Sequence, residues 1–157
     1  MSHQAKSDPW ATRFVLKEHA EEYGRRNDPP AAGQPAVEEL ILMRDYTLLP
    51  HMLTIIQKNL DDLRFYKGVL RDFYTAAGEY VAQRISQDLY ELRRELSRRS
   101  IRVGSGEQDD IVIKYMYKCR GYTGSFDITR EETRAQIGVR FGRYVDELMK
   151  RMRGESK

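Results

Sequence analysis

The chain has 157 residues, 40% of them hydrophobic and 32% charged, which suits one domain of ordinary size with a highly charged surface. No apolar run approaches the roughly 20 residues of a membrane-spanning helix, and Met1-Ser2-His3-Gln4-Ala5-Lys6 has no apolar core behind its charge, so neither a membrane partner nor a secretory leader is expected. A formal net charge of +3 does not by itself imply nucleic acid, and the single Cys119 excludes an internal disulfide, so the expected location is cytoplasmic.

Residues 1–36 read as an N-terminal arm. Asp8-Pro9 is a helix start, because aspartate can cap free amides and proline suits the first turn. Trp10, Phe14, Val15 and Tyr23 then share a rough face, which predicts a short helix over 9–24. That helix either docks on the body through Trp10 and Phe14 or serves as an arm that recognises something else. Residues 25–36 carry Asn27-Asp28-Pro29-Pro30, Gly33 and Pro35, the chemistry of a linker.

Residues 37–154 read as one helical domain. Pro35 opens a helix with Glu38 and Glu39 in its first turn, where acidic side chains favour the helix dipole. Leu40, Leu42 and Met43 supply its apolar mass. Pro50 predicts a turn or kink at Leu48-Leu49, since the residue before a proline avoids helical angles. Helical spacing resumes with Leu49, Leu53, Ile56, Leu60 and Leu63. The longest amphipathic stretch follows, over 66–103: Tyr66, Leu70, Phe73, Ala77, Val81, Ile85, Leu89, Leu92 and Leu96 recur at threes and fours. A single helix from 50 to 103 would be on the order of 80 Å long. A reversal is therefore expected within 61–68, the alternative being one long helix covered by a second copy. Gly78, inside the long helix, signals close packing against a neighbour.

Val103-Gly104-Ser105-Gly106 is expected to end that helix, with a polar loop after it. The period then changes to two: Ile111, Ile113, Tyr115, Tyr117 and Cys119 alternate with polar residues, and Tyr122, Gly124, Phe126 and Ile128 alternate again. This predicts a β-hairpin over 111–128 turning at Arg120-Gly121, with a helical reading of 111–119 left open. Thr129-Arg130-Glu131-Glu132 fits a capping box, and Ile137, Phe141, Tyr144, Val145, Leu148 and Met152 give the last helix one apolar face. The expected fold is mainly α: an antiparallel helical bundle with one long central helix and a small β-hairpin before the last helix.

Several of these pieces together carry a resemblance: Leu48-Leu49-Pro50, then Glu91-Leu92-Arg93-Arg94-Glu95-Leu96, Ile101-Arg102-Val103, and Arg120-Gly121-Tyr122 before a final amphipathic helix. Over roughly 45–148 the chain resembles the YhjD-like group of small proteins from Bacillus and relatives. The resemblance implies a bacterial cytoplasmic setting and brings no activity, cofactor or catalytic residue.

The residues that could carry chemistry read more simply as structure. His3, His19 and His51 show no ligand spacing, and a metal site normally needs three or four groups. Asp61-Asp62 and Asp109-Asp110 suit helix ends and turns, and Gly104-Ser105-Gly106 lacks the ending of a phosphate loop. Cys119, between Lys118 and Arg120, would be a stabilised thiolate if exposed, but alternation puts it on the face of Tyr117 and Tyr115. No enzyme, cofactor or metal is expected. The favoured reading is protein–protein interaction or regulation, including a homodimer through the long helix. The alternative is nucleic-acid binding by the basic face of Arg93, Arg94, Arg98, Arg99 and Arg102, with Lys114, Lys118 and Arg120 from the hairpin and Tyr115, Tyr117 and Tyr122 as stacking aromatics. Two features count against that alternative. Glu91 and Glu95 can pair with Arg94, Arg98 and Arg99 along the helix, and alternation turns Tyr115 and Tyr117 away from Lys114 and Lys118.

Overall fold

The computed structural model describes residues 33–155, so the helix expected over 9–24 lies outside the described residues. Those described are mostly helical, with an antiparallel sheet of four strands before the last helix. In chain order they are α1 (Val37–Leu63), α2 (Arg71–Arg98), β1 (Ile101–Val103), β2 (Glu107–Gln108), β3 (Val112–Cys119), β4 (Tyr122–Thr129) and α3 (Arg130–Met152). They form two compact units, residues 33–43 with 95–132 and residues 44–94 with 133–155, and the division falls inside each helix.

The first turn of α1 is closed by its own sequence. The Ala36 carbonyl accepts from the amides of Glu39 and Leu40, and the Glu39 carboxylate reaches back to accept the Ala36 N–H at 3.1 Å. This satisfies amides that a helix start leaves open. Pro50 overturns an expectation. The turn expected at Leu48-Leu49 is absent; α1 runs through the proline without a break. An interior proline costs about 3 kcal/mol. Leu48, Leu49 and Met52 are all buried around it, and burying each such side chain returns about 1.5–3 kcal/mol. The packing outweighs the local preference.

The reversal expected within 61–68 is present: α1 ends at Leu63 and α2 begins at Arg71. The long helix is shorter than its apolar pattern suggested. Tyr66 and Leu70 lie before it, and it stops at Arg98 rather than at Val103. Ser100 adopts a left-handed conformation, φ 57°, which turns the chain out of the helix. Ile101–Val103 then pairs with Cys119, Lys118 and Tyr117 as β1. A helix-period pattern could not register that these three residues had a better partner in a strand.

The sheet is larger than the expected hairpin. β3 is its centre, with β4 along one side and β1 and β2 end to end along the other. Between β1 and β2 the register advances by one residue, from Val103 opposite Tyr117 to Glu107 opposite Lys114. Gly104-Ser105-Gly106 is therefore a bulge in a single edge strand, not the helix stop it was expected to be. The β3–β4 turn is Arg120-Gly121, with φ of 48° and 87°, a pair of left-handed residues that closes a two-residue hairpin. Glycine fits the second position without the Cβ clash that other residues meet there.

Alternation along β3 is clean: Ile113, Tyr115, Tyr117 and Cys119 are buried, while Lys114, Met116 and Lys118 are exposed. Phe126 of β4 stacks on Tyr115 at 5.3 Å between ring centroids, with Tyr117 at 6.1 Å. Ile101 and Ile128, with Leu40, Met43 and Leu96 from the helices, join them in the apolar core of the first unit. Thr129 ends β4 and caps α3, its hydroxyl oxygen accepting the Glu132 N–H at 3.1 Å as the capping box requires.

The second unit consists of segments of the three helices. Its buried apolar residues are Leu48, Leu49 and Met52 of α1 and Val81, Ile85, Leu89 and Leu92 of α2. The α2 stripe is thus sheltered from Val81 onward, whereas Phe73 near its start is exposed. No residue of α3 is buried.

Candidate functional site

Two arrangements stand out, one in each unit. In the first unit they centre on a carboxylate that the sequence offers only as a dipole partner. Glu39 is buried, and Arg120 grips it with both ends of its guanidinium, NH1 to Oε2 and NH2 to Oε1, each at 2.8 Å. Arg99 stands 3.7 Å from Oε2 and is itself bound to Glu95 at 2.7 Å. Arg120 also donates to the Arg99 carbonyl at 3.2 Å. The Arg120 hydrogen bond is the main cause that holds the Glu39 carboxyl down at about 2; burial works against it, and the Ala36 amide and the charges of Arg120 and Arg99 assist. The left-handed turn aims Arg120 at the start of α1. Nothing local to either residue reveals a pairing across 81 positions, so sequence reasoning missed it.

Cys119 lies beside this cluster and is fully buried. Burial pushes its thiol up, against a smaller opposite pull from Arg120. The expectation of a core thiol holds, and it gives a test. A thiol reagent should label the folded protein only through unfolding, at a rate that follows the unfolding rate as urea is raised. Labelling that is fast in buffer and independent of urea would contradict the burial.

The eight basic residues of the nucleic-acid reading do not form one set of open cations. Arg98 and Arg99 are tied to Glu95, as their spacing suggested, and Arg120 to Glu39. Arg94 lies over the Tyr90 ring at 5.8 Å, and Arg93 is exposed. Lys114 sits opposite Glu107 on one side and Asp127 on the other. Arg102 and Lys118 do meet, as directly opposite residues on the exposed sheet face. Tyr115 and Tyr117 point into the core, leaving Tyr122 half-buried. Of the remaining candidates, His51 is exposed, as are Asp61 and Asp62 in the last turn of α1, and Asp109 accepts the Asp110 amide at 2.6 Å in the β2–β3 turn.

In the second unit α3 is held by a polar stripe. Arg140 donates to Asp45 at 2.7 Å, Tyr144 to Asp88 at 2.5 Å, and Glu147 accepts from Arg84 at 2.9 Å and from Tyr80 at 3.1 Å. Arg151 lies over the Tyr80 ring at 5.5 Å. Burial, then the Asp88 hydrogen bond, pushes the Tyr144 phenol up; Arg84 holds the Glu147 carboxyl down. Arg140 is desolvated, and its Nε has no hydrogen-bond partner. Positions 140, 144, 147 and 151 repeat at helical spacing, so one face of α3 is committed to polar contacts with α1 and α2.

The apolar residues of α3 lie round from that face. Val145, Leu148, Met149 and Met152 line an open groove of about 320 Å³ with Ile56, Leu60 and Leu63 of α1 and Phe73, Tyr74, Ala77, Gly78 and Val81 of α2. Gly78 makes the expected close approach: a Cβ there would lie 2.7 Å from Leu60 Cδ2. Beside the groove the α1–α2 turn exposes more apolar surface, Phe65 at 83% and Val69 at 100%, and Tyr66 lies 5.9 Å from the Tyr74 ring. The sequence showed that these residues are apolar and periodic, and not that they stay uncovered.

No helix among the described residues is long and apolar enough to cross a membrane. No curated protein and no solved structure matches the chain. The YhjD protein family model matches residues 34–149, three quarters of the sequence and both units described above, and the chain therefore belongs to the YhjD protein family.

Proposed function

We propose that this protein is a non-enzymatic interaction or regulatory module built as an antiparallel helical bundle, and that it works in the cytoplasm. The observation that supports this reading is the uncovered apolar groove of the second unit. A 23-residue helix with no buried residue, and with Val145, Met149 and Met152 exposed along one side, is unusual for a chain that acts alone. Apolar patches beyond a few hundred Å² on soluble proteins mark binding surfaces. A photo-crosslinking amino acid placed at Val145 in cells should give discrete adducts, and charged substitution at Met149 should abolish them. A face that yields no adduct at all would sink the reading.

Nucleic-acid binding is kept as the second reading because of one pair. Like charges directly opposite on a sheet repel, and a phosphate across Arg102 and Lys118 would relieve that repulsion. Against it, two of the three aromatics that would stack bases, Tyr115 and Tyr117, are buried, and Arg98, Arg99 and Arg120 are already held in ion pairs. A gel shift with single- and double-stranded nucleic acid should show no retention at physiological salt. Retention at low salt that falls steeply as salt rises, and that is lost in Arg102→Ala with Lys118→Ala, would favour the second reading instead.

A further inference from the structure

We propose that the groove of the second unit is the seat for a second copy of this chain, so that the protein pairs face to face through α3 and the start of α2. The inference rests on the interaction reading and names its partner.

Three observations point to self-pairing. The first is area. Phe73, Tyr74, Val145, Met149 and Met152 line one groove, Tyr66 lies against Tyr74 beside it, and all six are about half exposed. With large side chains presenting on the order of 200 Å² each, these six offer on the order of 550 Å², and Phe65 and Val69 beside them, at 83% and 100%, raise the face to on the order of 900 Å². That is the share one partner gives to a standard stable interface.

The second is charge. A two-fold interface places one patch against its own copy, so it needs both signs on the same patch. The cleft that shares Leu60 and Leu63 with this groove has them: Asp61, Arg64, Arg71, Asp72 and Glu79 of α1, α2 and the turn between them. An anionic lipid surface would be matched by an excess of cations, and this cleft carries a near balance.

The third is span. Every apolar residue lining the groove except Met152 falls within the 34–149 family match, and residues 1–33 do not. A cover drawn from the matched domain itself fits the family's extent; a cover drawn from the N-terminal arm does not. The polar stripe of α3 adds the mechanical reason. By spending Arg140, Tyr144 and Glu147 on α1 and α2, α3 leaves its apolar side for a partner.

The test is sedimentation of the full chain across about 1–100 µM, with Met149→Glu and Val145→Glu beside it. Both positions are exposed, so either variant should keep the far-UV dichroism of the wild type. The wild type should be a dimer, and each variant should dissociate with a Kd raised by about 100-fold or more, because a charge would be buried without a partner. A wild type that stays monomeric, or variants that dimerise as it does, would overturn the proposal. Trp10, the one tryptophan, identifies a different occupant. If the wild type is monomeric with blue-shifted emission that moves to the red in Met149→Glu, the groove belongs to the arm. A monomer that cosediments with vesicles containing anionic lipid assigns the face to a membrane surface. A monomer whose crosslinker at Val145 captures another protein leaves the interaction reading standing and removes this inference; a monomer with no adduct removes both.

Discussion

Replacing Glu39 by glutamine should destabilise the protein by about 2 kcal/mol at pH 7, measured as a lower urea midpoint with an unchanged slope. The size follows from linkage. The carboxyl sits at about 2 in the folded state against 4.5 for an unperturbed glutamate, which corresponds to about 3 kcal/mol when both states are ionised. Arg120 is 40% exposed, so water screens part of that gain and about 2 kcal/mol is the better expectation. The sign is set by the downward shift. The contribution is present in full above pH 4.5 and is lost as pH falls from there toward 2, because the unfolded state takes up the proton first. Wild-type stability should therefore drop across that window more steeply than that of Glu39→Gln, and the two curves should converge below it. Parallel curves from pH 7 to 2 would show that Glu39 is not held by Arg120. Arg120→Ala should reproduce the flattened curve, since it removes the same hydrogen bonds from the other side of the hairpin turn.

The largest single-residue loss should come from Phe126→Ala, at about 3–5 kcal/mol. Phe126 is 1% exposed, stacks on Tyr115 and touches the ring of Tyr117. Removing it deletes an aromatic side chain and leaves a void that β3 and β4 cannot close, because their register is fixed over eight residue pairs. Natural domains have only about 5–15 kcal/mol in all. Phe126→Ala should therefore lower the midpoint of thermal unfolding by more than ten degrees or leave the protein partly unfolded at 37 °C. Phe126→Leu keeps much of the volume and should lose less than half as much. Equal losses for the two would mean that the sheet's inner face is not packed around this ring. Val139, exposed on α3, serves as the contrast, and Val139→Ala should change stability by less than about 0.5 kcal/mol.

Much of the architecture was legible before any coordinates. The α2 stripe from Val81 to Leu96, the reversal before it, the alternation of β3, the Arg120-Gly121 turn and the Thr129 cap all rest on interactions within a few residues. Such signals sit whole in a short window of sequence. The family followed from short motifs spread over the middle of the chain, and its match extends to 34–149.

What stayed hidden depended on distant partners. Pro50 reads as a break because its cost is local, while the burial of Leu48, Leu49 and Met52 that outweighs it is set by the fold. Ile101–Val103 reads as the end of a helix because β3, which captures it, lies 14 to 18 residues away along each pairing. Glu39 reads as a dipole partner because Arg120 comes to it only through the hairpin turn. The sequence by itself determined which residues are apolar, at what period, and where the chain can turn, because those depend on side-chain type and spacing alone. Tertiary structure alone decided which apolar residues are covered. On α3 the polar contacts of Arg140, Tyr144 and Glu147 set the helix's rotation, and that rotation left Val145, Met149 and Met152 open.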